Sequence, residues 1–323
     1  MPLKRRNMKI TKEKKLSLIK QQVTNDFYAA MHTNFLNDDG SPHEICKPED
    51  WFLLGRKYYK EFAEDSEPYK LETARRCFTL AAVSGNAQFK KLLADGYLTG
   101  VFLLESKEKS EAEGLYWLER AAEENNIDAQ VTMGLRYFYA KGFDKDFKEA
   151  FSWFLKAANS GNPLAARYVG EFYDTEGWGV TPDTDKALEW YKKAAEGGDS
   201  FAQCLYGKEF YIGKTVPKDY EKAFELFSAS AAQNDPNGIF MKAQCVWFGL
   251  GTEKDRQKAF ELFKKAADLG SPQGALDAGK ALYLGEGTER DLERALVYFE
   301  QSAEGGMAEG KNAAEICRRE IEA

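Results

Sequence analysis

Histidine is the scarcest titratable residue in this chain of 323 residues, which contains only His32 and His43. Both lie before residue 51, so a Ser-His or Cys-His nucleophile pair in the rest of the chain would need one of these two to reach it. No cluster of His, Cys and Asp has the spacing of a metal site. The sequence therefore predicts a protein that is not an enzyme and that uses no cofactor and no metal.

Long apolar runs are also missing. No stretch approaches the roughly 18 apolar residues of a membrane span, and the basic N-terminus is not followed by the apolar segment of a secretory signal. The five cysteines contain no CxxC pair, which is typical of reduced thiols. We therefore expect a cytoplasmic protein that does not insert into a membrane.

The net charge of −7 is distributed unevenly along the chain. Eight Lys or Arg residues and one Glu occupy the first twenty positions, which gives +7 there and leaves −14 for the rest. An acidic body argues against nucleic acid or an anionic membrane as the main partner. Residues 1–9 are predicted to form a flexible basic N-terminus, and a localisation signal or an arm that docks on an acidic surface is the alternative.

A short motif rich in small residues, written KAANSGN at 156–162, occurs seven times at spacings of 36 to 40 residues. A fixed period in this range indicates stacked structural repeats. The same position of each copy holds Gly or Asn, which tolerate the left-handed conformation in which helices commonly end. These predicted turn residues are Gly85, Asn125, Gly161, Gly198, Asn234, Gly270 and Gly306.

Each motif ends a predicted helix with bulky residues at helical spacing, and in the later copies an Asp stands where an N-cap is needed. The predicted N-caps are Asp146, Asp183, Asp219, Asp255 and Asp291. An earlier helix in each repeat carries a glycine between bulky residues, as in MGLRY (133–137). Glycine inside a helix costs about 1 kcal/mol relative to alanine, so its recurrence predicts close contact between helices.

Residues 165–198 resemble the Sel1-like repeat family, a relative of tetratricopeptide arrays. The match includes the Val-Gly-x-x-Tyr segment at 169–173, the Gly-x-Gly-Val segment at 177–180 and the Lys-Ala-Ala segment at 193–195. The resemblance implies an all-α fold, a right-handed superhelical α-solenoid of about seven helix-turn-helix repeats with N- and C-terminal capping helices. The expected domains are a basic tail (1–9), an amphipathic helix and linker that serves as a cap or as an arm (10–50), seven repeats (51–307) and a capping helix (308–323).

The resemblance also implies a function. Members of the family act mostly as scaffolds or adaptors, which predicts a non-enzymatic module that binds a protein or peptide on the concave face formed by the first helices. One alternative is an immunity protein, which neutralises a toxin by stoichiometric binding. A second alternative, of a different class, is a hydrolase or cell-wall enzyme.

By analogy with tetratricopeptide geometry, the first-helix positions one and four after the glycine position face the groove. Tyr211, Trp247 and Tyr283 would then form an aromatic row beside cationic and amide side chains, which suits a peptide with apolar and acidic groups. The alternative is that these aromatic rings pack between neighbouring first helices, and that Trp178 packs back on an adjacent loop. The candidate partner-binding residues are Arg56, Tyr59, Phe138, Arg167, Glu171, Lys208, Tyr211, Phe240, Gln244, Trp247, Lys280, Tyr283 and Trp178.

Overall fold

A computed structural model describes residues 47–323, in which the chain forms fifteen α-helices and no β-strand. The chain divides into two compact units, the first ending at Ser160 and the second covering 161–323. The basic tail, most of the segment predicted as an N-terminal helix and both histidines lie outside the described residues.

The described part of the first unit contains six helices. They are α1 (Pro48–Asp65), α2 (Pro68–Ser84), α3 (Ala87–Leu98), α4 (Lys107–Glu123), α5 (Ile127–Phe138) and α6 (Phe147–Asn159). The second unit contains nine helices. They are α7 (Pro163–Asp174), α8 (Thr184–Glu196), α9 (Ser200–Ile212), α10 (Tyr220–Ala232), α11 (Pro236–Phe248), α12 (Arg256–Asp268), α13 (Pro272–Leu284), α14 (Leu292–Glu304) and α15 (Ala308–Glu322).

In each unit the helices pair as antiparallel hairpins in chain order, and each hairpin packs on the next within its unit. This stacking confirms the predicted all-α solenoid class, because every hairpin buries its apolar faces against its neighbours. The first repeat helix begins at Pro48, three residues before the predicted boundary, and α15 packs on α14 within the segment predicted as a cap. The division of the whole chain into four domains stays a prediction.

The predicted N-caps are confirmed. In each of the five second helices the Asp carboxylate accepts a hydrogen bond from a backbone amide two or three residues later. Asp183, for example, accepts from the amide of Lys186 at 3.0 Å. These bonds satisfy amides that have no partner within the helix, and they set the residue at which each second helix begins.

Six of the seven predicted turn residues have the left-handed backbone, with φ between 60° and 94°. Gly85 is the exception, because its φ is −104°, and the prediction was wrong there. Helix α2 continues to Ser84, so only two residues separate it from α3. The other turns keep three residues between their helices, and the middle one reverses the chain.

The glycines of the first helices contact the second helix of their own hairpin, as predicted. A Cβ atom added to any of four of them would lie 2.6 to 2.7 Å from a ring carbon, which is closer than such atoms pack. The aromatic ring therefore occupies the space that a side chain would need. The pairs are Gly134–Phe154, Gly170–Tyr191, Gly207–Phe227 and Gly279–Phe299.

The four described cysteines are buried and unpaired with each other. Burial raises the pKa of Cys77 and Cys245 to about 12 and that of Cys204 to about 11, and it also raises the pKa of Cys317.

In a Cys46→Ser variant at about pH 8 we expect these thiols to react with Ellman's reagent at least about 100-fold more slowly than free cysteine. In guanidinium, which unfolds the protein, all four thiols should react rapidly. Fast reaction of any of them in the folded protein would contradict this burial.

Candidate functional site

Successive first helices of the second unit contact each other, α9 with α11 and α11 with α13, so equivalent side chains on them lie in rows. We define the first-helix surface as the side chains that these three helices present near their C-terminal ends. Adjacent packed helices are separated by about 8 to 10 Å, which sets the distance between neighbours in a row. Seven of the thirteen predicted partner-binding residues lie on these helices.

The predicted aromatic row is partly core. Each ring is half-buried and packs against a phenylalanine of the second helix in the same hairpin, at centroid distances of 5.8 to 6.3 Å. The pairs are Tyr211–Phe227, Trp247–Phe263 and Tyr283–Phe299. Alanine at these positions would therefore disturb the core, and a role for the row in binding stays a prediction.

Arg167 and Glu171 of α7 belong to an ion network. The Arg167 guanidinium pairs with the Glu171 carboxylate and lies 3.3 Å from the Asp199 carboxylate at the start of α9. Burial raises the pKa of the Glu171 carboxyl above its ordinary value, although Arg167 acts in the opposite direction. These two predicted residues therefore join α7 to α9, and their side chains are largely buried.

Gln244 and Lys280 join successive first helices in the same way. The Gln244 amide donates to the Asp277 carboxylate, and the Lys280 ammonium lies 3.7 Å from Asp277 and 2.7 Å from Glu309 of α15. Burial raises the pKa of the Asp277 carboxyl despite both partners. The polar residues predicted to face a partner are thus also the contacts between repeats.

The Asp277→Asn substitution is expected to raise the free energy of unfolding at pH 7, by up to about 1 kcal/mol. A carboxyl group whose folded pKa is raised stabilises the fold at low pH, and this contribution is lost as the pH rises through the folded pKa. The substitution removes the buried charge together with its attraction to Lys280, which lowers this pKa less than burial raises it, and the amide oxygen still accepts a hydrogen bond from Gln244. Urea unfolding at pH 7 and pH 4 measures the difference, and a less stable variant at pH 7 would contradict the expectation.

A cavity of about 270 Å³ lies between α11 and α13. Three predicted residues line it, namely Gln244, Trp247 and Lys280, so the structure brings these three together. Phe248 and Leu284 line the same cavity, and 57% and 62% of their surfaces are exposed. The cavity therefore opens onto the first-helix surface beside uncovered apolar side chains.

Phe248 and Leu284 belong to a row that sequence reasoning missed. Ile212, with 59% of its surface exposed, holds the equivalent position on α9, so the three residues follow one another at 36-residue spacing. Each directly precedes a glycine with left-handed backbone that ends its helix. The available signal was a bulky apolar residue before this glycine in three successive copies. One exposed apolar residue is ordinary, but three in register form an apolar stripe.

Lys208 of α9 is half-buried, and it differs from Lys280, its counterpart on α13, in its charged neighbours. Among the residues that the structure describes, no carboxylate oxygen lies within 4 Å of the Lys208 ammonium. Lys280 occupies the equivalent position on α13 and pairs with Glu309. Lys208 is thus a half-buried cation of the first-helix surface without a close counter-ion.

The other predicted residues lie elsewhere. In the first unit Arg56 and Tyr59 are exposed on α1, and Phe138 packs on Phe147 at 5.4 Å. In the second unit Phe240 packs on the Phe263 ring at 6.0 Å. The half-buried Trp178 ring contacts Phe172 of α7 at 5.2 Å. Their part in binding stays a prediction.

Within residues 47–323, no group of three or more His, Cys, Asp and Glu side chains is placed to hold a metal ion. No helix in that range combines the length and the apolar character required to cross a bilayer.

Hairpins of this repeat length, four of them with a glycine in the first helix under an aromatic ring of the second, define a helical-repeat protein. The family model for the Sel1 repeat matches six consecutive segments, and together these cover more than half of the chain. The chain belongs to the Sel1 repeat family, whose repeats serve as scaffolds for protein interactions. The α1–α2 hairpin, predicted as the first of seven repeats, precedes the first match. The matched segments are 92–126, 127–162, 163–199, 200–235, 239–271 and 272–307.

Two curated relatives match short parts of the chain. It is 36% identical over 64 residues to the ERAD-associated E3 ubiquitin-protein ligase component HRD3A of Arabidopsis thaliana, which is 20% of this chain and 9% of that protein. It is 35% identical over 83 residues to the chitin synthase regulator SKT5 of Saccharomyces cerevisiae, which is 26% of this chain and 12% of that protein. The chain thus spans about a tenth of the length of each relative.

A solved structure supports the fold over a longer range. The Sel1 repeat protein from Oxalobacter formigenes is similar to this chain with a TM-score of 0.54 and 27% identity, over 65% of this chain and 86% of that one.

Proposed function

We propose that the chain is a non-enzymatic scaffold or adaptor that binds a protein or peptide partner on the first-helix surface of the second unit. The observation that carries this proposal is the row of Ile212, Phe248 and Leu284, exposed in register beside the cavity between α11 and α13. Two relatives are named as a component of a ubiquitin ligase and a regulator of a chitin synthase, which supports an accessory role.

The row can supply binding free energy because its members are uncovered and held in place. Apolar area removed from water contributes about 25 cal/mol per Å². Each side chain stands at the end of a helix whose other face packs on its hairpin partner, so little order is lost when a partner binds. A segment lying across α9, α11 and α13 would cover all three side chains at once.

The proposal places the protein in the cytoplasm and the partner on the face that the resemblance predicts to be concave. The immunity-protein alternative also acts by stoichiometric binding and would use the same surface, so the identity of the partner separates the two. The hydrolase alternative would need an activated nucleophile, and burial raises the pKa of the four described thiols, which disfavours a cysteine in that role.

Affinity capture from cells of the source organism tests the proposal. The bait is the wild-type chain or a variant with Ile212→Ser, Phe248→Ser and Leu284→Ser. Because central apolar contacts each contribute more than about 1 kcal/mol, the three substitutions should weaken binding by about 100-fold. Circular dichroism and thermal unfolding should match the wild type, since the replaced side chains are exposed.

The matched control replaces exposed apolar residues away from this surface. Val297 of α14 has 62% of its surface exposed, as Leu284 has, and Leu269 after α12 has 44%. A Val297→Ser, Leu269→Ser variant should retain the partner. A partner that stays bound to the folded three-serine variant would show that the first-helix surface is not the binding site.

A further inference from the structure

The cavity between α11 and α13 and the cation on α9 together point to a partner segment of defined chemistry. We infer that the cavity receives one bulky apolar side chain of the partner, and that Lys208 pairs with a carboxylate on the same segment. The inference rests on the proposed function, and it adds the residue types that the surface selects.

The size and walls of the cavity favour a single apolar side chain. Its volume of about 270 Å³ is below the roughly 300 to 1,000 Å³ of small-molecule sites. Trp247 and Phe263 provide aromatic walls, and the exposed Phe248 and Leu284 flank the opening. A large aliphatic or aromatic side chain would therefore cover apolar surface that now faces water.

The charged groups of the cavity already have partners. A charged side chain that entered would have to break one of these pairs, whereas an apolar side chain would only displace water. The Arg256 guanidinium, which pairs with Glu286 at 2.7 Å, also lies over the Trp247 ring at 5.0 Å. The pairs are Asp277 with Gln244, Lys280 with Glu309 and Glu286 with Arg256.

Lys208 supplies the second recognition element. It occupies on α9 the position that Lys280 occupies on α13, where a carboxylate of the following first helix, Glu309, pairs with it at 2.7 Å. Among the described residues, no carboxylate occupies the equivalent position beside the Lys208 ammonium. An ammonium without a close counter-ion gains a charge-assisted hydrogen bond when an acidic group arrives, so an acidic partner is favoured over a basic one.

The helix spacing fixes the distance between the two elements. Lys208 lies one first helix away from the cavity, which is about 8 to 10 Å. An extended chain rises about 3.3 Å per residue, so the acidic residue should stand about three positions from the apolar one.

Short synthetic peptides of random sequence, immobilised as an array, are the probe. Peptides that bind the wild-type chain should be enriched in a Leu, Phe or Trp with an Asp or Glu about three positions away. Lys208→Glu should lower the affinity of the acidic peptides by about tenfold or more and shift the preference to Lys and Arg. Lys265→Glu makes the same charge change at an exposed residue of α12 and should leave the preference unchanged.

The outcomes separate this inference from the proposed function. If peptides bind, and binding is lost in the three-serine variant, but Lys208→Glu does not change the preference for acids, only the inference is overturned. If no peptide binds, or if bound peptides show no bulky apolar residue, the inference is also overturned, and capture of the intact partner still decides the function. Peptide and partner binding that both survive the three-serine variant would overturn both.

Discussion

The Gly279→Val substitution is expected to lower the free energy of unfolding by about 3 kcal/mol or more. Gly279 lies in the middle of α13, and a Cβ atom there would be 2.7 Å from two carbons of the Phe299 ring and 3.3 Å from the Ala295 carbonyl oxygen. The ring is almost fully buried, so it has no free space into which to move. The helices α13 and α14 would have to separate. This would also disturb α15, because α15 packs on the same hydrophobic core.

Denaturant unfolding of a double-mutant cycle checks the cause. Phe299→Leu should be destabilising alone, but Gly279→Val combined with Phe299→Leu should cost less than the two changes added, because the smaller side chain leaves room. Gly306→Ala is the control, since its Cβ would meet nothing within 4 Å and only its positive φ is strained, at about 1 kcal/mol. Strict additivity in the cycle would show that the Phe299 contact is not the reason for the glycine.

The Arg167→Met substitution is expected to destabilise the protein by about 2 to 3 kcal/mol at neutral pH. Arg167 is the cation shared by Glu171 and Asp199, and side-chain exposures of 15%, 20% and 13% show that water reaches the three groups poorly. Its loss leaves two neighbouring carboxylates without their counter-ion. A second change, Glu171→Met, should restore part of the stability, since it removes one of the two uncompensated charges, while the Asp199 carboxylate keeps its hydrogen bond from the amide of Ala202.

The loss of stability caused by Arg167→Met should depend on pH in a defined direction. Burial already raises the pKa of Glu171 in the wild type, and Arg167 opposes that rise. Without Arg167 the folded-state pKa rises further, so the variant binds the proton more tightly when folded. The stability deficit of Arg167→Met should therefore shrink as the pH falls through the pKa of Glu171. A deficit that is constant between pH 7 and pH 4, measured by urea unfolding, would show that the ion network is not its cause.

Much of the fold could be predicted because its signals are local and repeated. An Asp that caps a helix and a glycine under an aromatic ring act within one hairpin, a left-handed turn residue acts in the three-residue link to the next hairpin, and each recurs at the repeat period. Gly85 shows the limit of this reasoning. The motif has the same residue there, but α2 extends to Ser84 and the shorter turn needs no left-handed residue.

The candidate site was less accessible to sequence reasoning because it depends on contacts between repeats. Gln244, Trp247 and Lys280 were predicted to share a surface, and they line one cavity. The partners of these residues could not be predicted, since Gln244–Asp277 and Lys280–Glu309 depend on the register between successive first helices. The exposed row was missed because tetratricopeptide geometry directs attention to positions one and four after the glycine, whereas Ile212, Phe248 and Leu284 stand at position five.

Hydrogen–deuterium exchange of the captured complex, compared with the free chain, is the most direct measurement of where the partner binds. We expect slower exchange at the C-terminal ends of α9, α11 and α13, while exchange in the second helices α10, α12 and α14 stays unchanged. Slower exchange confined to the second helices or to the first unit, with α9, α11 and α13 unaffected, would contradict the assignment of the first-helix surface as the binding site.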